Sequence, residues 1–395
     1  MSGFAKAQRW LAAVALSFGV TLTATHQPIF AVQPLQPVTS SVSLPTSLGL
    51  DDKIWPQAGQ PGDRAALLAA IDHSLTYLQT PKAAADYQKH LVPGISRDRV
   101  RRSLVRFRQL VTKSRSAAEL KAAVQREFVL YRAVGKDKQG TVAYTGYFEP
   151  TYTASRVRTA EYRYPLFRIP PGLAEWSKPQ PTRARLEGKD GLQFAKGPLK
   201  NLELVWLRDR LEAFLIQVQG SARLQMTDGS TMTVGFAGKT SHPYTGVGRE
   251  LVKDGKMRLE DLTLPNLLEY FHQHPEDLDV YLPRNRSFVF FRETYGAAAT
   301  GSLGVPVTAE RSIATDKSLM PPGALALIDT PLPQPSAAGK LEQRPVSRYV
   351  LDQDTGSAIK GPGRVDIFMG TGVKAGDRAG LTNSTGQLYY LLLKQ

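Results

Sequence analysis

The chain has 395 residues, 42 % of them hydrophobic, with 50 Lys and Arg against 35 Asp and Glu, a formal net charge of +15. That length supports a large core and two or three domains, and the basic surface favours a polyanionic partner: nucleic acid, anionic lipid or an acidic wall polymer. Cysteine is absent, which excludes disulfides, thiol nucleophiles and a lipidation cysteine; the six histidines show no ligand spacing, so no metal is expected.

In chain order, Lys6 and Arg9 precede an apolar run from Trp10 to Ala24, with small residues at Ala24 and Ala31. This predicts a signal peptide over 1–31, too short to span a bilayer with confidence but able to act as an anchor if left uncleaved. Gln33 to Leu50 is rich in Pro, Ser and Thr and reads as a linker, extended to 32–54, with folded structure beginning near Trp55.

Leu67, Leu68, Ile71, Leu75 and Leu78 recur at helical spacing after Asp63, and Thr80-Pro81 reads as an N-cap followed by proline at the first helical position. Further helices are predicted over Arg99 to Val111 and from Ser116, with Glu119 completing a capping box, to Tyr131. Arg97, Arg99, Arg101, Arg102, Arg106 and Arg108 read as a solvated helix face, because no nucleic-acid signature accompanies them.

Beyond Lys136 the texture is strand-like: Leu202 to Leu207, Ala213 to Gln219 and Ala222 to Met226, broken by Gly and Asp-Gly turns. A helical interruption spans Gly246 to His274. Strands resume at Ser287 and continue through Ala324 to Leu327, Arg348 to Leu351, Val365 to Phe368 and Leu388 to Leu393. There is no internal repeat. The class predicted is mostly β with an N-terminal helical part.

The chemistry concentrates near the C-terminus, where Asp354-Thr355-Gly356 leads through Gly361, Pro362 and Gly363 to Arg364-Val365-Asp366-Ile367-Phe368-Met369-Gly370. Asp366 sits between β-branched residues, and desolvation there would raise its pKa toward values useful for donating a proton, the requirement for cleaving an acetal. Taken alone, an Asp near Gly is as readily a turn residue bonded to its own backbone. His242, beside Pro243 and Tyr244, reads as a structural histidine rather than a base. There is no Gly-x-Ser-x-Gly elbow.

With Ala314-Thr315-Asp316-Lys317-Ser318 upstream, Asp316, Asp354 and Asp366 form a three-aspartate module. It is preceded, in order, by Thr145-Gly-Tyr-Phe-Glu-Pro150, Ala154-Ser-Arg156, Tyr164-Pro-Leu-Phe-Arg-Ile-Pro170, Val218-Gln-Gly-Ser-Ala222 and Asp228-Gly-Ser230. Phe236-Ala-Gly-Lys-Thr-Ser-His-Pro-Tyr244, Gly246-Val-Gly-Arg249 and Asn285-Arg-Ser-Phe-Val-Phe-Phe291 follow. These blocks resemble the membrane-bound lytic murein transglycosylase A family. The resemblance implies a double-psi β-barrel domain, built from 55–148 with the N-terminal helices and from 294–395, and a second β domain inserted at 149–293.

It also implies cleavage of peptidoglycan to 1,6-anhydro-N-acetylmuramic acid ends, with Asp366 as acid and then base. Asp354 would support it or order the turn. Thr145, Tyr147, Gln217, Gln219, Ser221 and Asp316 would bind glycan, with Lys239 and Arg168 meeting lactyl or peptide carboxylates. Family members often carry aspartate where Gln217 stands, so a charge-dependent role for that position is not carried over. The missing N-terminal cysteine departs from the lipoprotein members. The expected partners are peptidoglycan glycan strands and proteins of wall synthesis or division, in the periplasm or cell wall, with no nucleic acid, metal or cofactor. Two other readings stay open: a non-catalytic wall-binding barrel and a glycan hydrolase that uses water.

Overall fold

The computed structural model describes residues 33–395 except 40–42, 58, 60, 90–91 and 337. The predicted signal peptide lies outside the described residues. In chain order the elements are β1 (Leu35–Pro37), α1 (Arg64–Leu78), α2 (Pro81–Lys89), α3 (Arg97–Lys113), α4 (Ala117–Glu127), β2 (Phe128–Ala133), β3 (Val142–Glu149), β4 (Thr151–Ser155) and β5 (Tyr164–Phe167). Then come α5 (Arg183–Glu187), β6 (Glu203–Leu207), α6 (Arg210–Gln219), β7 (Ser221–Met226), β8 (Thr231–Lys239), α7 (Val247–Lys253), α8 (Leu264–Gln273), α9 (Leu278–Tyr281) and β9 (Val289–Glu293). The last are β10 (Ser312–Ala314), β11 (Leu325–Pro335), β12 (Leu341–Asp354), β13 (Arg364–Thr371), α10 (Val373–Leu381) and β14 (Asn383–Leu393).

Six strands close a ring, β14-β11-β12-β10-β13-β3 and back to β14, with β2 and then β1 added outside β14. Two of the pairings, β10 with β12 and β13 with β3, are parallel, as the double-psi barrel requires of strands that return across the ring. A second, six-stranded sheet has the order β5-β6-β4-β7-β8-β9, all of it drawn from the chain between β3 and β10. One apolar cluster joins the barrel to the N-terminal helices: Ile313, Leu325, Ile328, Leu351, Ile367 and Leu391 are buried together with Leu67, Ile71, Leu104 and Phe107. No helix among the described residues is long and apolar enough to cross a membrane.

The cap at Ser116 forms as predicted, its side chain accepting from Glu119 N at 3.2 Å. The helix stops at Glu127 rather than Tyr131, because 128–133 pairs with β14 on one side and β1 on the other. The linker reading of 32–54 is corrected as well. Leu35 pairs with Ala133, Leu48 is buried, and Asp51 accepts from Tyr349 N at 2.9 Å and from Arg311 at 2.5 Å.

The arginine face of α3 is only partly solvated. Arg99 is buried and donates to Leu393 O, while Arg106 and Arg108 pair with Glu127 and Asp72.

Ala213 to Gln219, predicted as a strand, is helical. Asp209 Oδ1 caps Leu211 N at 2.6 Å, and Gly220 closes the helix at φ 84°, a conformation that favours glycine. The run reads as continuously apolar because α6 is covered on two sides: Ala213 and Ile216 pack on the six-stranded sheet, Leu211, Phe214 and Leu215 on α7, α8 and α9.

Candidate active site

The ring brings the two C-terminal aspartates together through a single residue. Ala314 of β10 lies opposite Asp354 of β12 on one side and Asp366 of β13 on the other, and Asp366 in turn faces Thr145 of β3. The two aspartates thus stand two strands apart, about 10 Å between Cα atoms.

Their environments differ sharply. Asp354 Oδ2 accepts from the Tyr147 hydroxyl at 2.8 Å, and Oδ1 accepts from the backbone N–H groups of Ser302 and Thr355, both at 2.8 Å. Burial pushes its pKa up against those donors. Asp366 Oδ1 is buried with no hydrogen-bond partner among the described residues. Burial raises its pKa to about 6; the Asp354 charge adds to the rise and the Arg364 guanidinium opposes it.

Tyr147, its ring 5.2 Å from that of Phe368, has its own pKa pushed well up by burial and by the Asp354 and Asp366 charges, so it stays protonated and donates.

A cavity of about 250 Å³ opens onto Asp366 and is lined by Thr145, Tyr147, Gln217, Gln219, Tyr244, Ser357 and Arg364. The inserted sheet and its helices supply the wall opposite the barrel. Gln217 Oε1 accepts from Arg183 Nη2 at 2.7 Å and from Val289 N at 3.3 Å. Arg183 is buried, 5.0 Å from the ring centres of both Phe214 and Phe288. Gln219 Oε1 accepts from Phe148 N at 3.0 Å and ties α6 to β3. A larger cavity of about 990 Å³ adjoins, lined in part by Lys239, His242, Arg249, Lys360 and Arg364.

Of the residues expected in the site, Thr145, Tyr147, Gln217, Gln219, Lys239, Asp354 and Asp366 gather at or directly behind these cavities. Three do not, and the strand geometry says why. Asp316 is buried with Oδ1 on Ser318 N at 3.1 Å and Oδ2 on Gly361 N at 2.9 Å, so it clasps the glycine-rich turn and has no free face for glycan.

Ser221 opens β7 opposite Gly235, away from both cavities. Arg168 follows β5 and bridges to Phe291 of β9; its exposed guanidinium donates to Glu203 O at 2.5 Å and lines neither cavity. His242 is the pinned residue expected, with Nε2 2.6 Å from Gln180 O.

Sequence reasoning passed over Arg364. It donates to Thr145 Oγ1 at 3.1 Å, and its Nε is buried without a partner among the described residues. Its spacing from Asp366, i and i+2 on a strand, was the available signal.

Residues 143–292 match the MltA specific insert domain, and 311–392 match the 3D domain. Over 259 residues the chain is 32% identical to membrane-bound lytic murein transglycosylase A of Escherichia coli strain K12, covering 65% of this chain and 67% of the relative. It is 31% identical over 262 residues to that of Vibrio cholerae, covering 66% and 68%.

The crystal structure of a membrane-bound lytic murein transglycosylase from Agrobacterium tumefaciens agrees with a TM-score of 0.67 at 26% identity, over 84% of this chain and 93% of that one. E. coli MltA with bound chitohexaose has the same fold, with a TM-score of 0.69 at 24% identity over 92% and 95%. On this sequence identity and coverage, together with a closed barrel that brings the C-terminal aspartates to a groove facing the second sheet, the chain belongs to the membrane-bound lytic murein transglycosylase A family.

Proposed function

We propose that this protein is a peptidoglycan lytic transglycosylase that cleaves the β-1,4 bond from N-acetylmuramic acid to N-acetylglucosamine without water, with Asp366 as the one acid and base. The observation that carries the reading is the contrast between the carboxyls: Asp354 is held by three donors, whereas Asp366 has an unpartnered oxygen at a cavity, with burial pushing its pKa up to about 6. A hydrolase of the usual kind needs a second free carboxylate to activate water or attack carbon. An intramolecular attack does not, because the substrate brings its own nucleophile.

Protonated Asp366 gives its proton to the glycosidic oxygen as the C1–O bond breaks and N-acetylglucosamine leaves. The muramyl 6-hydroxyl oxygen then bonds to C1, and the Asp366 carboxylate takes that hydroxyl's proton. The product is a 1,6-anhydro ring and the acid is restored. A group titrating near 6 serves both halves at near-neutral pH. Asp354 keeps the site's negative potential and orients Tyr147, while Thr145, Gln217 and Gln219 hold the sugars.

The chitohexaose bound by the E. coli relative is a β-1,4-linked N-acetylhexosamine chain, which supports a glycan strand as the ligand of this groove. In this reading the barrel halves, 55–148 and 294–395, carry the acid, the insert at 149–293 carries the opposite wall, and 1–31 directs export to the cell envelope.

Mass spectrometry of products from purified sacculi in ¹⁸O-water is the test. Anhydromuramyl ends without label are expected, and Asp366→Asn should lower turnover by about two to four orders of magnitude. Label at C1 would make the protein a hydrolase; no products at all, with binding intact, would make it a wall-binding protein.

A further inference from the structure

The larger cavity differs in character from the one at Asp366. Four cationic side chains line it, Lys239, Arg249, Lys360 and Arg364, and no Asp or Glu does. None of the four forms an ion pair among the described residues, where 25 such pairs occur elsewhere: Lys239 Nζ donates to the carbonyls of Thr240 and His242, Arg364 donates to Thr145 Oγ1, and no carboxylate lines the cavity to neutralise them. Lys239, at the end of β8, and Lys360, in the turn after β12, come from opposite walls. They are close enough that the Lys360 charge, after burial, helps push the Lys239 pKa down.

Like charges facing each other across a cavity are relieved by an anion between them. Behind them Phe214, Leu215, Val218 and Leu267 form an apolar wall. Val218, Gln219, Tyr244 and Arg364 line both cavities, so a substituent on a sugar at Asp366 has a continuous path into the larger one.

Resting on the transglycosylase reading above, we propose that the larger cavity receives the stem peptide of the bound muramyl residue and reads its carboxylates with Lys239, Arg249, Lys360 and Arg364. A stem peptide combines what this lining asks for: several carboxylates for lysine and arginine and alanine methyls for the apolar wall. A bare phosphate polymer would leave that wall unused. A volume of about 990 Å³ is at the upper end of the ~300–1,000 Å³ range of pockets that enclose ligands of a few hundred daltons.

Equilibrium binding to the Asp366→Asn protein tests this independently of turnover, with glycan strands of one length in three forms. These carry tetrapeptide stems, the same stems with their carboxylates amidated, or no stems, keeping only the lactyl carboxylate. Strands with free stem carboxylates should bind about tenfold more tightly than either of the others. Lys239→Gln with Lys360→Gln, and separately the exposed Arg249→Gln, should narrow that gap.

Equal affinity for free and amidated stems, or a gap untouched in both variants, would overturn the proposal. So would denuded strands that bind as well as stem-bearing ones, since the cations would then be reading the lactyl group. Whether the wild type forms anhydro products is scored separately, and their absence would withdraw the reaction and not the stem preference.

Discussion

Burial pushes the Asp366 carboxyl up to about 6, against about 3.9 in an unfolded chain. A raised folded pKa leaves the fold unpenalised below pH 4, then removes stability as the pH climbs from 4 to 6, about 3 kcal/mol at neutrality. The variant expected to slow turnover, Asp366→Asn, should therefore be more stable than the wild type at pH 7 and equal to it near pH 4, as denaturant titrations at the two pH values would read. The neighbours set the value in opposite directions. Asp354→Asn removes a charge that raises the Asp366 pKa, and Arg364→Gln removes one that lowers it. The alkaline limb of kcat/KM, where the Asp366 proton is lost, should move to lower pH in the first variant and to higher pH in the second. The burial of Asp366 was legible in the sequence because its apolar, β-branched flanks announce desolvation, whereas its proposed role came from the family resemblance. Ser221, Arg168 and Asp316 were misplaced because motif order gives neighbourhood along the chain, whereas which face a residue presents depends on register.

Among the elements, α10 shows most plainly why part of the fold was hidden. Val373–Leu381 contains Gly376 and Gly380, which weaken helix propensity and mask the helical period. Both glycines answer to packing: a Cβ on Gly376 would lie 2.8 Å from the Phe148 ring, and one on Gly380 3.0 Å from Leu264. The same helix presses on β3 at Gly146, between Thr145 and Tyr147, where an added Cβ would meet Ala379 Cα at 2.8 Å. Gly146→Ala should destabilise the protein by about 1–3 kcal/mol and lower activity beyond the loss of folded protein, because the strand that must shift carries Thr145 and Tyr147. Activity normalised to the folded fraction measures the second part. The N-terminal helices were readable because their amphipathic period is undisturbed, and α6 was not because it is apolar on two sides.

At the scale of the whole molecule, distant segments are fastened by buried charge. Arg311 is fully buried and reaches Asp51 and Asp63, each at 2.5 Å, and Glu310 accepts from Lys53, Arg348 and Arg378. These cations hold the Glu310 carboxyl well below the usual range despite burial. Its contribution is complete above the unfolded pKa and fades only as the pH falls through the lowered one. Asp51→Asn leaves Arg311 short of a counter-charge and should cost about 3–5 kcal/mol, read from the denaturation midpoint. β14, the last strand of the chain, pairs with β2, β3 and β11 at once. Without β14 the ring is a sheet with two raw edges, β3 and β11. A chain clipped before Asn383 would expose those edges to other chains. The barrel can thus close only once β14 is available, so its folding should be slow, governed by contacts between segments far apart in sequence.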